Sequence, residues 1–131
     1  MITKLRLKNF KSHKDTQLEM RPLTLISGVN NTGKSSILQA LLLLRQTYNN
    51  NRLNMGLDLN KPIVSLGIGN DVLYKFAKEP VLTIDVSTET NRYEFNFDAG
   101  DALDASFIPA IGPQLGDISL AINSLLGNDF Q

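Results

Sequence analysis

Apolar and polar residues alternate along two stretches near the start of the chain. In residues 3–8 leucines alternate with basic residues, and in residues 16–20 apolar residues alternate with glutamine and glutamate. Alternation with a period of two is typical of a strand that buries one face. Because only the short polar segment 10–15 separates the stretches, they predict an antiparallel hairpin.

The same alternation returns in the second half of the chain. Residues 81–87 carry Leu, Ile and Val at every second position, and residues 93–97 alternate aromatic with polar side chains. The segment 88–91 between them is polar and turn-like, so a second antiparallel hairpin with one apolar face is predicted. We expect its aromatic row to lie in the core. The row consists of Tyr93, Phe95 and Phe97.

A different pattern lies between the two hairpins. The apolar run 23–27 predicts a third strand, and residues 35–46, which read SSILQALLLLRQ, predict a helix of good helix formers. The helix is apolar nearly all round, so we expect it to be buried, packed between two sheet layers.

The rest of the chain gives weaker signals. An asparagine-rich, irregular connection is expected over 49–79, where Gly67 and Gly69 interrupt any regular element. Near the end, residues 118–126 suggest a short helix ended by Gly127. We therefore expect one domain, or part of one, in four segments: residues 1–48, 49–79, 80–98 and 99–131.

The segment between the third strand and the helix matches the phosphate-binding loop pattern G-x-x-x-x-G-K-[ST]. Gly28 and Gly33 permit backbone angles that turn successive N–H groups inward as an anion nest. Lys34, the candidate catalytic residue, reaches the β- and γ-phosphates, and the Ser35 hydroxyl ligates Mg²⁺. The sequence thus predicts binding of ATP with Mg²⁺. The candidate nucleotide-binding residues of the loop are Gly28, Asn30, Asn31, Thr32, Gly33, Lys34, Ser35 and Ser36.

Composition narrows the remaining possibilities. Of the 131 residues 42% are hydrophobic, which is enough for a packed core, and the absence of cysteine excludes disulfides and thiolate chemistry. No apolar run reaches membrane-spanning length and no signal-peptide pattern opens the chain, so a cytoplasmic protein without membrane contact is expected.

Charge is balanced overall but uneven along the chain. The 13 basic residues equal the 13 acidic ones, so net charge gives no case for nucleic-acid binding. The first fourteen residues, however, are basic without an acid, which suggests either solvated faces or an edge that meets a polyanion. These basic residues are Lys4, Arg6, Lys8, Lys11 and Lys14.

Hydrolysis of a triphosphate needs a further acidic element, usually an apolar strand that ends in Asp. Residues 81–85 imitate this pattern, but Asp85 falls within an alternating strand that continues, so we interpret it as a solvent-facing strand residue. His13, the only histidine, is expected to be an exposed loop residue. The sequence alone therefore places no water-activating group.

Residues 1–46 resemble the N-terminal half of an ABC-type ATPase head of the SMC-like group. This group includes DNA-repair and chromosome-organising ATPases, RecF-like proteins and the overcoming-lysogenization-defect nucleases. The resemblance lies in a basic strand that ends in Asn-Phe-Lys-Ser, followed by the loop Asn30-Asn-Thr-Gly-Lys-Ser-Ser. More loosely, residues 65–75 resemble stand-alone AAA-type ATPases of the same group, some of them found in antiphage defence.

The resemblance implies an α/β P-loop NTPase, ABC-ATPase-like, with an antiparallel N-terminal sheet near the phosphate-loop strand and helix. It implies ATP hydrolysis in a head-to-head homodimer, with DNA or a DNA-processing subunit as partner. Lys11 falls where many relatives place an arginine near the phosphates. Either Gln114 or Gln131 is a candidate for the family's magnesium-contacting glutamine. Because the family's signature motif, acidic strand and switch histidine have no match, an incomplete, hydrolytically inactive domain is expected.

Two other classes of function stay open at this point. A phosphate-loop kinase or GTPase is one, although neither an acceptor lid nor a base-reading N-K-x-D motif is visible. The other is a non-catalytic module that uses nucleotide to gate an interaction.

Overall fold

The computed structural model describes residues 2–19, 32–50, 55–61 and 63–111, and these residues form a mixed arrangement of strands and helices. The elements in chain order are β1 (Ile2–Phe10), β2 (His13–Glu19), α1 (Thr32–Asn49), β3 (Gly56–Asp58), α2 (Gly69–Val72), β4 (Val81–Thr88), β5 (Arg92–Asp98) and β6 (Phe107–Pro109).

The main sheet joins the two predicted hairpins. Its strand order is β2-β1-β4-β5, and every neighbouring pair is antiparallel. Both hairpin predictions are thus confirmed, although β1 and β2 extend further toward their turn than the alternation indicated. The central pair, β1 with β4, joins residues far apart in sequence, a pairing that no local pattern specifies.

The inner face of this sheet carries the alternating apolar side chains. Phe95 and Phe97 are fully buried, which confirms the core role predicted for the aromatic row, and Tyr93 is partly buried beside them. The other fully buried or nearly fully buried members of this face are Leu5, Leu7, Leu82, Ile84 and Val86.

Helix α1 shares one hydrophobic core with the sheet, as its apolar surface predicted. Residues 40–47 are all buried, and Tyr48 is the first exposed residue after them. The Gln46 amide is fully buried too, and it donates to the carbonyl of Asp58 at 2.7 Å. Its oxygen accepts from the backbone N–H groups of Ile63 and Val64 at 3.0 and 2.9 Å. Gln46 thus connects the helix to β3 and to the segment after it through three hydrogen bonds.

A small second sheet pairs β3 with β6 in antiparallel register. Neither strand is predicted from the sequence, because three residues are too few to show a period. This sheet meets the main one where Ala110 bridges to Phe97, and the Ile111 N–H donates to the Asn96 carbonyl at 2.9 Å. The irregular connection predicted over 49–79 is only partly correct, because this segment contains β3 and the short helix α2, which begins at Gly69. Gly67 does interrupt regular structure, with a φ of +95°.

The turn of the first hairpin is anchored to the segment around α2. The Lys11 N–H donates to the Val72 carbonyl at 2.6 Å, and the Tyr74 N–H donates to the Asn9 carbonyl at 2.8 Å. Between these bonds, Phe10 bridges to Leu73 and is itself fully buried. The position of the hairpin end is therefore set by backbone bonds on both sides of one buried ring.

Candidate nucleotide-binding site

The structure describes only part of the predicted phosphate loop. Gly28, Asn30 and Asn31 lie outside the described residues, as do the predicted strand over 23–27, the helix over 118–126, and the glutamines Gln114 and Gln131. The loop's last four residues, Thr32, Gly33, Lys34 and Ser35, form the start of α1. The helix therefore begins three residues before the predicted position.

The start of α1 is suited to bind phosphate. The first N–H groups of any helix lack intrahelical acceptors, and the aligned peptide dipoles place partial positive charge at that end. Here the G-K-S residues of the motif occupy this first turn, and the helix runs for 18 residues from Thr32. The G-K-S residues of the motif thus lie at the helix end that favours a bound phosphate.

The residue that follows the motif is buried. Ser36 is 7% exposed, and Ile37 after it is 4% exposed and belongs to the core. The helix is therefore anchored in the interior one residue after the predicted magnesium ligand, Ser35. Such anchoring restricts where the first turn can point, so it favours a pre-organised phosphate site.

Lys11 lies in the turn between β1 and β2. Its φ is +52°, in the left-handed region that few side-chain-bearing residues adopt, and Asn9 two residues earlier has a φ of +57°. The Asn9 side chain donates to the Val81 carbonyl at 2.8 Å, which stabilises its unusual conformation. The turn that carries Lys11 is therefore held in a defined shape.

His13 is not an exposed loop residue, so that prediction was wrong. It begins β2 opposite the buried Phe10, and it is 8% exposed. The left-handed Asn9 interrupts the alternation of β1, which explains how residues near the turn come to face inward. The Nδ1 of His13 lies 2.9 Å from the Thr16 hydroxyl, whereas its Nε2 is buried and has no hydrogen-bond partner among the residues that the structure describes.

Asp85 lies on the outer face of the sheet but is buried there, contrary to the predicted exposure. It is 6% exposed and accepts from the Arg92 guanidinium, with Nε–Oδ2 at 2.9 Å and Nε–Oδ1 at 3.1 Å. Arg92 follows the turn of the same hairpin, so the strands themselves bring this pair together. Strand β4 continues through Thr88, as the alternation predicted. An ion-paired residue in mid-strand is poorly suited to act as a magnesium ligand.

The outer face of the main sheet is mixed in charge rather than basic. Arg6 forms a two-point contact with Asp15, with Nε–Oδ1 at 2.8 Å and Nη2–Oδ2 at 2.7 Å. The strand register places four basic and five acidic side chains on this face: Lys4, Arg6, Lys8 and Arg92 against Asp15, Glu19, Asp85, Glu94 and Asp98. The acid-free stretch of the sequence therefore does not form an acid-free surface.

These ion pairs shift the titration of their members. The hydrogen bond from Arg6 lowers the pKa of Asp15, and the bond to Asp85 raises the pKa of Arg92. Because the pKa of Asp15 is lower in the folded state, its contribution to stability is present above its ordinary pKa of 3.8. That contribution is lost as the pH falls through the folded value. The effect is small, since the pair is solvent-exposed.

Neither a metal cluster nor a membrane span is found among the described residues. Within these ranges no group of three or more His, Cys, Asp or Glu side chains is placed to hold a metal ion. None of the helices in the same ranges combines the length and apolar character that crossing a bilayer requires.

Most of the chain matches the model of one protein family. The model of the AAA ATPase domain matches residues 1–103, which is most of the chain. The chain belongs to the AAA ATPase domain family. This family is one of α/β P-loop ATPases, and the resemblance of the chain to the SMC- and RecF-like ATPases is confirmed.

Two curated relatives match short segments of this AAA ATPase chain. The DNA double-strand break repair Rad50 ATPase of Archaeoglobus fulgidus is 46% identical over 43 residues, 32% of this chain and 5% of Rad50. An ATP/GTP phosphatase of Helicobacter pylori is 47% identical over 45 residues, 34% of this chain and 12% of that protein. The matches thus span a small part of each relative's length. No solved structure matches significantly.

Proposed function

We propose that this AAA ATPase chain binds ATP·Mg²⁺ through the loop 28–36. The observation that carries the proposal is that the G-K-S residues of the motif open the 18-residue helix α1. In this arrangement the Lys34 ammonium binds the β- and γ-phosphates, the Ser35 hydroxyl ligates Mg²⁺, and the helix N–H groups bind the remaining phosphate oxygens.

The remaining loop residues have supporting roles in this proposal. Gly28 and Gly33 allow the loop to wrap, and Asn30, Asn31 and Thr32 contribute backbone N–H groups to the anion nest. Ser36 anchors the helix start from the interior, as its burial supports. Lys11, on its ordered turn, supplies a single-point contact to phosphate or to a partner subunit.

Hydrolysis is proposed to require residues beyond this set. ATP would lie between two ABC-like heads in a homodimer, and the water-activating acid would come from motifs that the 131 residues lack. The ion pair between Asp85 and Arg92 supports this division, because it occupies the one carboxylate that resembles a magnesium-site aspartate.

The first test is therefore the turnover of the 131-residue chain. Incubated with ATP and Mg²⁺, it is expected to release no more phosphate than buffer alone, because its sequence shows no apolar strand that ends in the acidic residue needed to activate water. The matched control is Asp85→Asn. Steady turnover by the chain, abolished in this variant, would show that Asp85 serves the metal after all.

A non-catalytic, nucleotide-gated module is the second candidate class. Single-turnover hydrolysis by the full-length protein separates it from an ATPase, since a gating module releases nucleotide as intact ATP. For an ATPase, phosphate appears in one exponential phase that Lys34→Ala abolishes.

The partner is proposed to be DNA or a DNA-processing subunit, in repair, chromosome maintenance or antiphage defence. The similarity to the Rad50 ATPase supports this assignment. Because the outer sheet face carries five acidic side chains against four basic ones, contact through β1 is expected to be weak and to depend steeply on salt.

The corresponding experiment is a duplex-DNA titration of the full-length protein with ATP at two salt concentrations. The variant Lys4/Arg6/Lys8→Glu is expected to lose binding at low salt, because three phosphate contacts become repulsive. Equal DNA affinity of the variant and the wild type would exclude this face as the DNA contact. Failure of the wild type itself to bind DNA at low salt would also exclude it, and either result would favour a protein partner.

A further inference from the structure

A cavity of about 310 Å³ lies where the first hairpin meets the segment that precedes β4. We call it the Phe76 pocket; the residues that matter here are Lys8, Lys14, Asp15, Phe76, Lys78 and Glu79. It is separate from the outer-face groove of the sheet, which Lys4, Arg6 and Arg92 line.

The Phe76 ring is open to solvent. It is 73% exposed, more than any other large apolar side chain among the described residues. The Tyr74 ring contacts it edge-on at a centroid distance of 5.9 Å, and the Lys75 ammonium lies 5.7 Å from its centroid. Although the Lys75 ammonium lies over the ring, most of the Phe76 side chain is exposed and offers surface on which a flat group can stack.

This ring belongs to a turn whose position is fixed. The Tyr74 N–H donates to the Asn9 carbonyl of β1, and the Ala77 N–H donates back to the Tyr74 carbonyl at 3.1 Å. The turn is thereby attached to the hairpin that carries Lys8 and Lys14. An aromatic surface on such an attached turn loses little conformational entropy when a ligand stacks on it.

The charge around the ring is positive. Three lysines line the pocket against two carboxylates, and one of these, Asp15, is already bound by Arg6 at two points. Lysine is depleted in the buried core of protein interfaces, so the pocket differs from an ordinary protein docking patch. Exposed aromatic rings beside lysines are instead the combination that binds nucleobases and phosphates.

We propose that the Phe76 pocket binds a nucleobase together with its adjoining phosphate. The base stacks on the Phe76 ring, and Lys14 and Lys78 bind the phosphate. Two sources share this chemistry: a single-stranded nucleic acid and a free mononucleotide such as ATP. If the ligand is a mononucleotide, this inference rests on the proposed function of ATP binding; if the ligand is a nucleic-acid strand, it does not.

The test uses the full-length protein, a fluorescein-labelled oligothymidine and, separately, ATP. Phe76→Leu keeps an apolar side chain but removes the ring, and Phe76→Tyr keeps the ring. We expect Phe76→Leu to weaken binding about 5- to 150-fold, the range that corresponds to loss of base–aromatic stacking. Phe76→Tyr, which keeps an aromatic ring, is expected to bind as the wild type does. For the oligonucleotide, Lys14→Gln with Lys78→Gln is expected to reduce the log–log salt slope by about 0.7 for each lysine that no longer binds a phosphate.

The oligothymidine and ATP measurements distinguish the two sources of the ligand, and they also separate this proposal from that of ATP binding at the phosphate loop. Loss of binding confined to oligothymidine identifies a nucleic-acid strand, and loss confined to ATP identifies a mononucleotide. Lys34→Ala, which removes the proposed phosphate-loop contact, leaves oligothymidine binding unchanged, so failure of one proposal does not imitate failure of the other. If Phe76→Leu changes neither affinity, or only lowers the unfolding temperature, the ring serves protein packing and the inference is wrong.

Discussion

Phe10→Ala is expected to lower the free energy of unfolding by about 3–5 kcal/mol, the range for truncating a buried aromatic residue. Phe10 is fully buried, and it bridges to Leu73 between the two backbone bonds that hold the first hairpin to the segment around α2. Its loss leaves a cavity at the point where this turn is anchored. Denaturant unfolding followed by circular dichroism measures the change.

The chain offers a matched control, because Phe76→Ala removes the same atoms from a side chain that is 73% exposed. Surface substitutions of this kind change stability by about 0.5 kcal/mol or less. Similar losses of stability in the two variants would contradict the burial that the structure assigns to Phe10.

Lys34→Ala is expected to weaken ATP binding about 10- to 150-fold. The variant removes a charged hydrogen-bond donor from the β- and γ-phosphates, and loss of such a partner costs roughly 1.5–3 kcal/mol. Unfolding stability is expected to change little, so the effect is on the ligand rather than on the fold. Isothermal titration calorimetry with ATP·Mg²⁺ measures the affinity.

Lys4→Ala is the matched control for charge. It removes the same positive charge from the outer face of β1, where the strand register pairs it with Glu19 and Ser87. ATP affinity in this variant is expected to stay within about twofold of wild type, since screening weakens distant exposed charges. If Lys34→Ala and Lys4→Ala lost equal ATP affinity, the change in net charge would explain the effect, and a specific contact of Lys34 with the phosphates would be contradicted.

The hairpins were predictable from sequence because their information is local. A period of two over five to seven residues specifies which face is buried, and short polar segments specify the turns. Helix α1 was predictable in the same way from its apolar composition. The pairing of β1 with β4 was not, because residues such as Leu7 and Ile84 meet only through the tertiary fold.

The errors at His13 and Asp85 come from one assumption about polar residues. His13 and Asp85 were both expected to be exposed because polar residues in turns and on strand faces usually are. In the structure Asp85 is paired with Arg92 across its own hairpin, and His13 is turned inward beside Phe10, near the left-handed Asn9. Burial of a polar side chain depends on such a partner or on such a backbone angle, and neither shows in hydrophobic periodicity.

The residues of the phosphate site were predictable from the motif, but their positions in the fold were not. The pattern G-x-x-x-x-G-K-[ST] assigned each fixed residue a role, and the structure adds that its last residues open α1. No sequence pattern indicated the Phe76 pocket, because its residues come from two segments far apart in the chain. Lys8 and Lys14 belong to the first hairpin, whereas Phe76 and Lys78 precede β4.

The most direct test of ATP binding at the loop is an NMR titration of the ¹⁵N-labelled chain with ATP·Mg²⁺. We predict that the largest amide shifts fall on residues 28–36, because their N–H groups receive the phosphates, while those of β5 stay unchanged. Saturation by ATP with no shift in this loop, or with the largest shifts in β5, would contradict nucleotide binding at this site.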